Sequence, residues 1–210
     1  MRITAKPILI LFLLIIVAGC AARQTVMVPP RIDLTQHEMI GVIDFKTTQK
    51  GELGPLVTRR FTEAARQDQG LVRIVGFGSE KEVLRSIDGE RLSQEVLQAL
   101  GRERGVRTIL IGELVVSDIR PDLRLTSGLR SGSLSAKVDA TLAVELIETA
   151  TGASIWSSSA RATRSVGHIS VFKGGEFAFD AEDPEQAYGG LVDSLVAAVT
   201  RDFRATWQQL

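Results

Sequence analysis

The stretch from Leu134 to Ile147 narrows the choice of fold more than any other. Leu134, Ala136, Val138, Ala140, Leu142, Val144 and Leu146 alternate with Ser135, Lys137, Asp139, Thr141, Ala143, Glu145 and Ile147. Successive side chains of a strand point to opposite faces, so this pattern makes a strand with one apolar and one mostly polar face. The strand is far longer than the usual five or six or so residues. Thr149-Ala-Thr-Gly152 then supplies a tight turn, with Gly152 suited to a left-handed backbone. Ala153–Val166 returns as the partner strand and offers Trp156, Ala160 and Ala162 to the core. A sheet with one greasy face needs a cover, and the remaining periodicity supplies helices for it.

Met39–Phe45 reads as a buried strand with Asp44 near its end, followed by a polar, glycine-containing loop at Lys46–Gly54. Pro55 suits a first helical turn, and Leu56, Val57, Phe61, Ala64 and Ala65 share one helical face, which Gly70 stops. Leu71–Val75 is a second strand. Ser79 and Glu82 have capping-box spacing for a short helix. Leu92, Val96, Leu97, Ala99 and Leu100 mark another helix, ended by Gly105. The apolar run Val106–Val116 suits a central strand buried on both faces. Ser117–Ser133 and Gly167–Glu182 read as irregular. Asp183, Pro184 and Gln186 open a last helix, whose stripe Tyr188, Leu191, Val192, Leu195, Val199, Phe203 and Trp207 runs to the C-terminus. Phe61, Trp156 and Trp207 are expected in the core. The expected fold is α/β: a single domain over residues 39–210, a mixed sheet covered by helices in the order β-α-β-α-α-β-β-β-α, with a long C-terminal amphipathic helix.

The first 20 residues set the address. Arg2 and Lys6 precede the uncharged apolar run Ile8–Ala18. That run is too short to span a bilayer as a helix, which takes about 20 residues, and reads as a secretory leader. Val17-Ala18-Gly19-Cys20 resembles the lipobox of bacterial lipoproteins. The resemblance implies cleavage after Gly19, with Val17, Ala18 and Gly19 as recognition residues, and a covalent lipid such as palmitate on Cys20. Residues 1–19 are then a signal peptide, and residues 20–38 a lipidated Cys with an extended, mobile tether holding Pro29-Pro30. Ala21–Glu38 reaches at most about 65 Å, so the folded body stays close to the membrane. Ala21 after Cys20, with no Asp there, resembles outer-membrane sorting.

Four pieces in order, Val42-Ile-Asp-Phe45, Thr108-Ile-Leu-Ile-Gly-Glu113, Ala143–Trp156 and the closing helix, resemble the curli-secretion lipoprotein (CsgG) family. Its relatives include the lipoprotein activator of penicillin-binding proteins (LpoB) and the N-terminal domain of TolB. The resemblance spans residues 39–207. It implies a periplasm-facing α/β domain that acts by binding or assembly. In the curli-secretion members two hairpins build a shared barrel, at positions matching Ser117–Ser133 and Arg164–Glu182. Ile169–Val171 and Phe177–Phe179 are far shorter than the roughly 9–11 residues of a barrel strand.

Catalytic and metal chemistry find little support. His37 and His168 have no second ligand at metal spacing. Gly76-Phe-Gly78 puts Lys81 where a dinucleotide fingerprint needs its third glycine. Glu145 and Glu148 fall on opposite strand faces. The stretch Glu176, Asp180, Glu182, Asp183 and Glu185 reads as a solvated loop feeding a helix N-terminus. The arginines from Arg120 to Arg130 read as a solvated loop, and Asp44 as a turn or cap. Equal numbers of basic and acidic side chains, 25 each, argue against nucleic acid. Cys20 is the only cysteine, so its lipidation leaves no thiol for a disulfide or nucleophile.

The expectation is a non-enzymatic outer-membrane lipoprotein facing the periplasm, with no cofactor beyond the covalent lipid. It would hold the membrane through that lipid and bind another envelope protein, with homo-oligomerisation left open. The alternatives are a protomer of a ring-forming secretion pore and an envelope hydrolase.

Overall fold

The computed structural model describes residues 25–122, 135–167, 169–171, 177–179 and 181–209. They fall into a body, Pro30–Arg204, and a small unit made of the segments up to Pro29 and from Ala205. The elements in chain order are β1 (Thr25–Val28), β2 (Met39–Val42), β3 (Lys46–Thr47), β4 (Lys50–Gly51), α1 (Leu53–Gln69), β5 (Arg73–Gly76), α2 (Glu80–Ser86) and α3 (Gln94–Arg104). They continue with β6 (Thr108–Asp122), β7 (Ser135–Glu148), β8 (Ser154–Val166), β9 (Ser170–Val171), β10 (Phe177–Phe179), α4 (Pro184–Val199) and β11 (Thr206–Gln209). Short 3₁₀ turns lie at Leu34–His37 and Thr200–Phe203.

The main sheet of the body runs β5-β2-β6-β7-β8, with β3 added to β6. Strands β5, β2 and β6 are parallel, and β6, β7 and β8 antiparallel. Among the described residues the sheet is open, with no closed barrel. Alternation along β7 sorts its residues as expected: Ala136, Val138, Ala140, Leu142, Val144 and Leu146 are all at most 1% exposed. They join Leu56, Val57 and Phe61 of α1 and Tyr188, Leu191, Val192 and Leu195 of α4 in one core. On the other face a smaller core gathers Val83 of α2, Leu97 and Leu100 of α3, Ile109 and Ile147.

Local chemistry explains the helix ends. Ser79 and Glu82 close a reciprocal capping box on α2. Ser93 caps α3, and Gly105, at φ +66°, ends it in the left-handed region that glycine enters freely. The Asp183 carboxylate accepts from Gln186 N at 3.0 Å ahead of Pro184. Gly112 serves packing instead: a Cβ there would lie 2.7 Å from the Phe45 ring.

Several expectations change. The last helix stops at Val199, its continuation tightens into a 3₁₀ turn, and Trp207 lies on β11, 68% exposed rather than in the core. Ser117–Asp122 is not irregular but extends β6, past a register shift between Val116 and Asp118, as the partner of β7. Antiparallel pairing satisfies that segment's backbone, which overrides its polar, proline-containing composition. Val106–Val116 is buried on both faces only around Thr108–Leu110, because α2 and α3 cover just that part. The segment read as a tether holds β1 and the Leu34–His37 turn, with Leu34 1% exposed inside the core. Ile169, Ala178 and Phe179 are buried in the body, and Phe179 packs on Tyr188 at 5.2 Å.

The small unit is an antiparallel ribbon of β1 and β11, in the register Thr25↔Gln209, Val26↔Gln208, Met27↔Trp207 and Val28↔Thr206. No helix among the described residues is long and apolar enough to cross a membrane.

Candidate functional site

Two features of the body can receive a partner. The first is a cleft at the carboxyl ends of the parallel strands, where open α/β sheets gather ligands. It encloses about 270 Å³ between Ile43, Asp44 and Lys46 after β2, Glu80 of α2, Leu92, Ile111–Glu113 of β6, and Ala143 and Glu145 of β7. Ile43, Leu92 and Ile111 give it an apolar lining, while Asp44, Glu80, Glu113 and Glu145 give four carboxylates. Lys46 Nζ meets Glu80 Oε2 at 2.6 Å. Burial, with the nearby Glu82 charge added, raises the Asp44 carboxyl above its ordinary range. Asp44 thus lines the cleft from the loop between β2 and β3, and its backbone N–H donates to Gly78 O at 2.9 Å.

Among the described residues no serine, threonine, cysteine or histidine lines this cleft. No group of three or more His, Cys, Asp or Glu side chains is placed to hold a metal among the described residues.

The second feature is the face of β6–β8 that α2 and α3 leave uncovered. The register places Lys137, Asp139 and Thr141 of β7 beside Ser165, Thr163 and Arg161 of β8. Asp139 organises them. Thr163 Oγ1 donates to its Oδ1 at 2.6 Å, and Arg120 Nη2 approaches its Oδ2 at 2.8 Å. Arg161 stands 3.6 Å away. The Thr163 hydrogen bond, joined by the two guanidinium charges, holds the Asp139 carboxyl below the usual carboxylate range. Asp139 is only 8% exposed, yet the side chain of Arg161 remains 66% exposed. Ser157, Ser159, Thr163 and Ser165 are also exposed. This surface is polar and hydrogen-bonding.

Arg120 therefore belongs to a strand, not to the solvated loop expected for it. Glu185 lies in the first turn of α4, as expected, and bonds Arg59 and Arg60 of α1 while its side chain stays 38% exposed. Glu145 and Glu148 do stay apart: Glu145 lines the cleft opposite Ile111, and Glu148 lies beside Thr149 opposite Thr108 at the start of β6. His37 sits in its 3₁₀ turn, where burial lowers its imidazole and Asp33 opposes the shift. Val17, Ala18, Gly19, Cys20 and His168 lie outside the described residues. Sequence reasoning did not assemble Lys46, Glu80, Glu113 and Glu145, because only the crossovers bring them together. Asp139 was legible as a charge on the wet face of β7, but its partners were not.

No protein-family model matches the chain, and no curated protein matches it in sequence. Among solved structures it is similar to a PelC dodecamer from Paraburkholderia phytofirmans, at 14% identity and TM-score 0.48, covering 87% of this chain and 98% of that one. It is similar to the LpoB C-terminal domain from Salmonella enterica, at 12% identity and TM-score 0.39, covering 65% and 86%. It is also similar to the lipoprotein GNA1162 from Neisseria meningitidis, at 13% identity and TM-score 0.37, covering 78% and 95%.

Proposed function

We propose that this chain is a non-enzymatic lipoprotein of the cell envelope, anchored through Cys20 to the outer membrane, facing the periplasm, and acting as a binding or assembly factor. The carrying observation is the sequence Val17-Ala18-Gly19-Cys20 behind a short apolar leader, with the first strand only five residues further on at Thr25. A diacyl or triacyl anchor holds a protein stably where a single chain does not. Binding is supported by the polar, hydrogen-bonding face around Asp139, Arg161 and Thr163. Such a face suits a protein partner, which needs a broad patch of about 800 Å² per side.

Cys20→Ser tests the anchor. It should abolish labelling by radioactive palmitate, block cleavage before residue 20 and move the protein out of the outer-membrane fraction. Normal trimming and unchanged fractionation would end the reading. Photo-crosslinkers at Ser159 and Arg161 should capture one discrete envelope partner in cells, and those at Arg59 and Gln67 should not. A single large homo-oligomer after mild detergent extraction would favour a ring-forming pore instead.

A further inference from the structure

We infer that the β1–β11 ribbon docks into the lipid–water interface of the bilayer, with Trp207 and Met27 as its insertion face. The inference rests on the lipid anchor proposed above and adds a second, non-covalent membrane contact.

The observations are independent of the anchor itself. Met27 and Trp207 stand directly opposite each other in the ribbon's register. Directly paired residues of antiparallel strands project to the same face, so the two form one apolar surface. Met27 is 54% exposed and Trp207 68%. Neither the segment Thr25–Pro29 nor residues 205–209 contains a charged side chain. Scattered exposed apolar residues need no explanation. An uncharged two-stranded ribbon presenting tryptophan against methionine is different, because a lone hairpin is marginal in water and needs a surface to pack on.

The length of chain ahead of the ribbon selects the occupant. Thr25 lies five positions after Cys20, a reach of at most roughly 18 Å, and Met27 adds about 7 Å. A lipid on Cys20 therefore keeps Met27 within about 25 Å of the acylated residue, a span that includes the headgroup layer. Tryptophan is enriched there because its ring is apolar and its indole N–H still finds a polar partner. Uncharged neighbours remove the desolvation cost that Lys, Asp or Glu would bring. The acyl chains already retain the protein, so the ribbon sets its own depth in the interface rather than attachment.

The test uses the mature lipidated protein in vesicles of phosphatidylethanolamine and phosphatidylglycerol, with and without bromine on the acyl chains. Trp156→Phe leaves Trp207 as the only tryptophan; Trp207→Phe in the otherwise intact chain gives the same signal by difference. Bromolipid should at least halve Trp207 emission, and its spectrum should shift to the blue relative to detergent-free buffer. Aqueous acrylamide should quench it less than half as well as free tryptophan. Full acrylamide access without bromine quenching overturns the inference. So does shielding from both quenchers, which would mark a contact with a second copy. The mass of the N-terminal peptide is read in parallel. Bromine quenching without lipid on Cys20 would refute the anchor and keep the ribbon, while lipid on Cys20 with a solvent-exposed Trp207 would do the reverse.

Discussion

Val144→Asp puts the face assignment of β7 under direct strain. Val144 is 1% exposed, between Gly112 of β6 and Ser158 of β8, in the core built with α1 and α4. Losing the burial of the valine side chain costs about 1.5–3 kcal/mol. The new carboxyl has no designed partner there, and burying a polar group unpaired costs a further ~1–3 kcal/mol by mutational experience. It must also take up a proton to avoid burying a charge. Neutralising a group of ordinary pKa about 3.9 at pH 7 costs up to about 4 kcal/mol, at about 1.36 kcal/mol per unit. The total, up to about 10 kcal/mol, rivals the whole stability of a typical domain, about 5–15 kcal/mol.

Urea unfolding followed by far-UV circular dichroism measures the loss. The sign of its pH dependence is a second check. An acid whose folded pKa is raised destabilises above its unfolded pKa and not below it. The deficit of the variant should therefore shrink by most of the proton-uptake cost as pH falls from 7 towards 4. Thr141→Asp is the control. It lies on the opposite face, paired with Arg161, and should change stability by less than about 1 kcal/mol. A loss below about 1 kcal/mol for Val144→Asp, flat with pH, would mean that the apolar face of β7 is not the buried one.

Other outcomes follow from the same geometry. Gly112→Ala forces a methyl to within 2.7 Å of the Phe45 ring and should cost about 1–3 kcal/mol by overpacking, read as a lower urea midpoint at unchanged slope. Asp44→Asn should raise stability at pH 7, because the wild-type carboxyl is raised in the folded state, and the gain should vanish below about pH 4, as compared by urea midpoints at both pH values. Asp139→Asn should do the opposite. The depressed wild-type carboxyl contributes stability above its unfolded pKa, so the variant loses stability at pH 7, and the difference closes as pH falls through the folded pKa. A parallel pH profile for either variant would show that the charge in question is not felt by the fold.

Much of the architecture was legible because it rests on short-range rules. Alternation along β7, the capping box at Ser79 and Glu82, the Asp183-Pro184 start of α4 and the left-handed Gly105 and Gly152 are decided within a few residues of the chain. Tertiary structure decided what such rules cannot reach. Trp207 completes a helical stripe on paper. The register of β11 with β1 instead gives its backbone partners in a ribbon and turns its ring outward. Ser117–Asp122 has loop-like composition, but hydrogen bonds from β7 hold it extended. Asp44, Glu80, Glu113 and Glu145 meet only because parallel crossovers and the antiparallel β6–β7 pairing bring separate segments together. Periodicity tells a residue which side it faces, whereas the partner on that side is chosen by chain segments dozens of positions away, through pairing and burial that no local window contains.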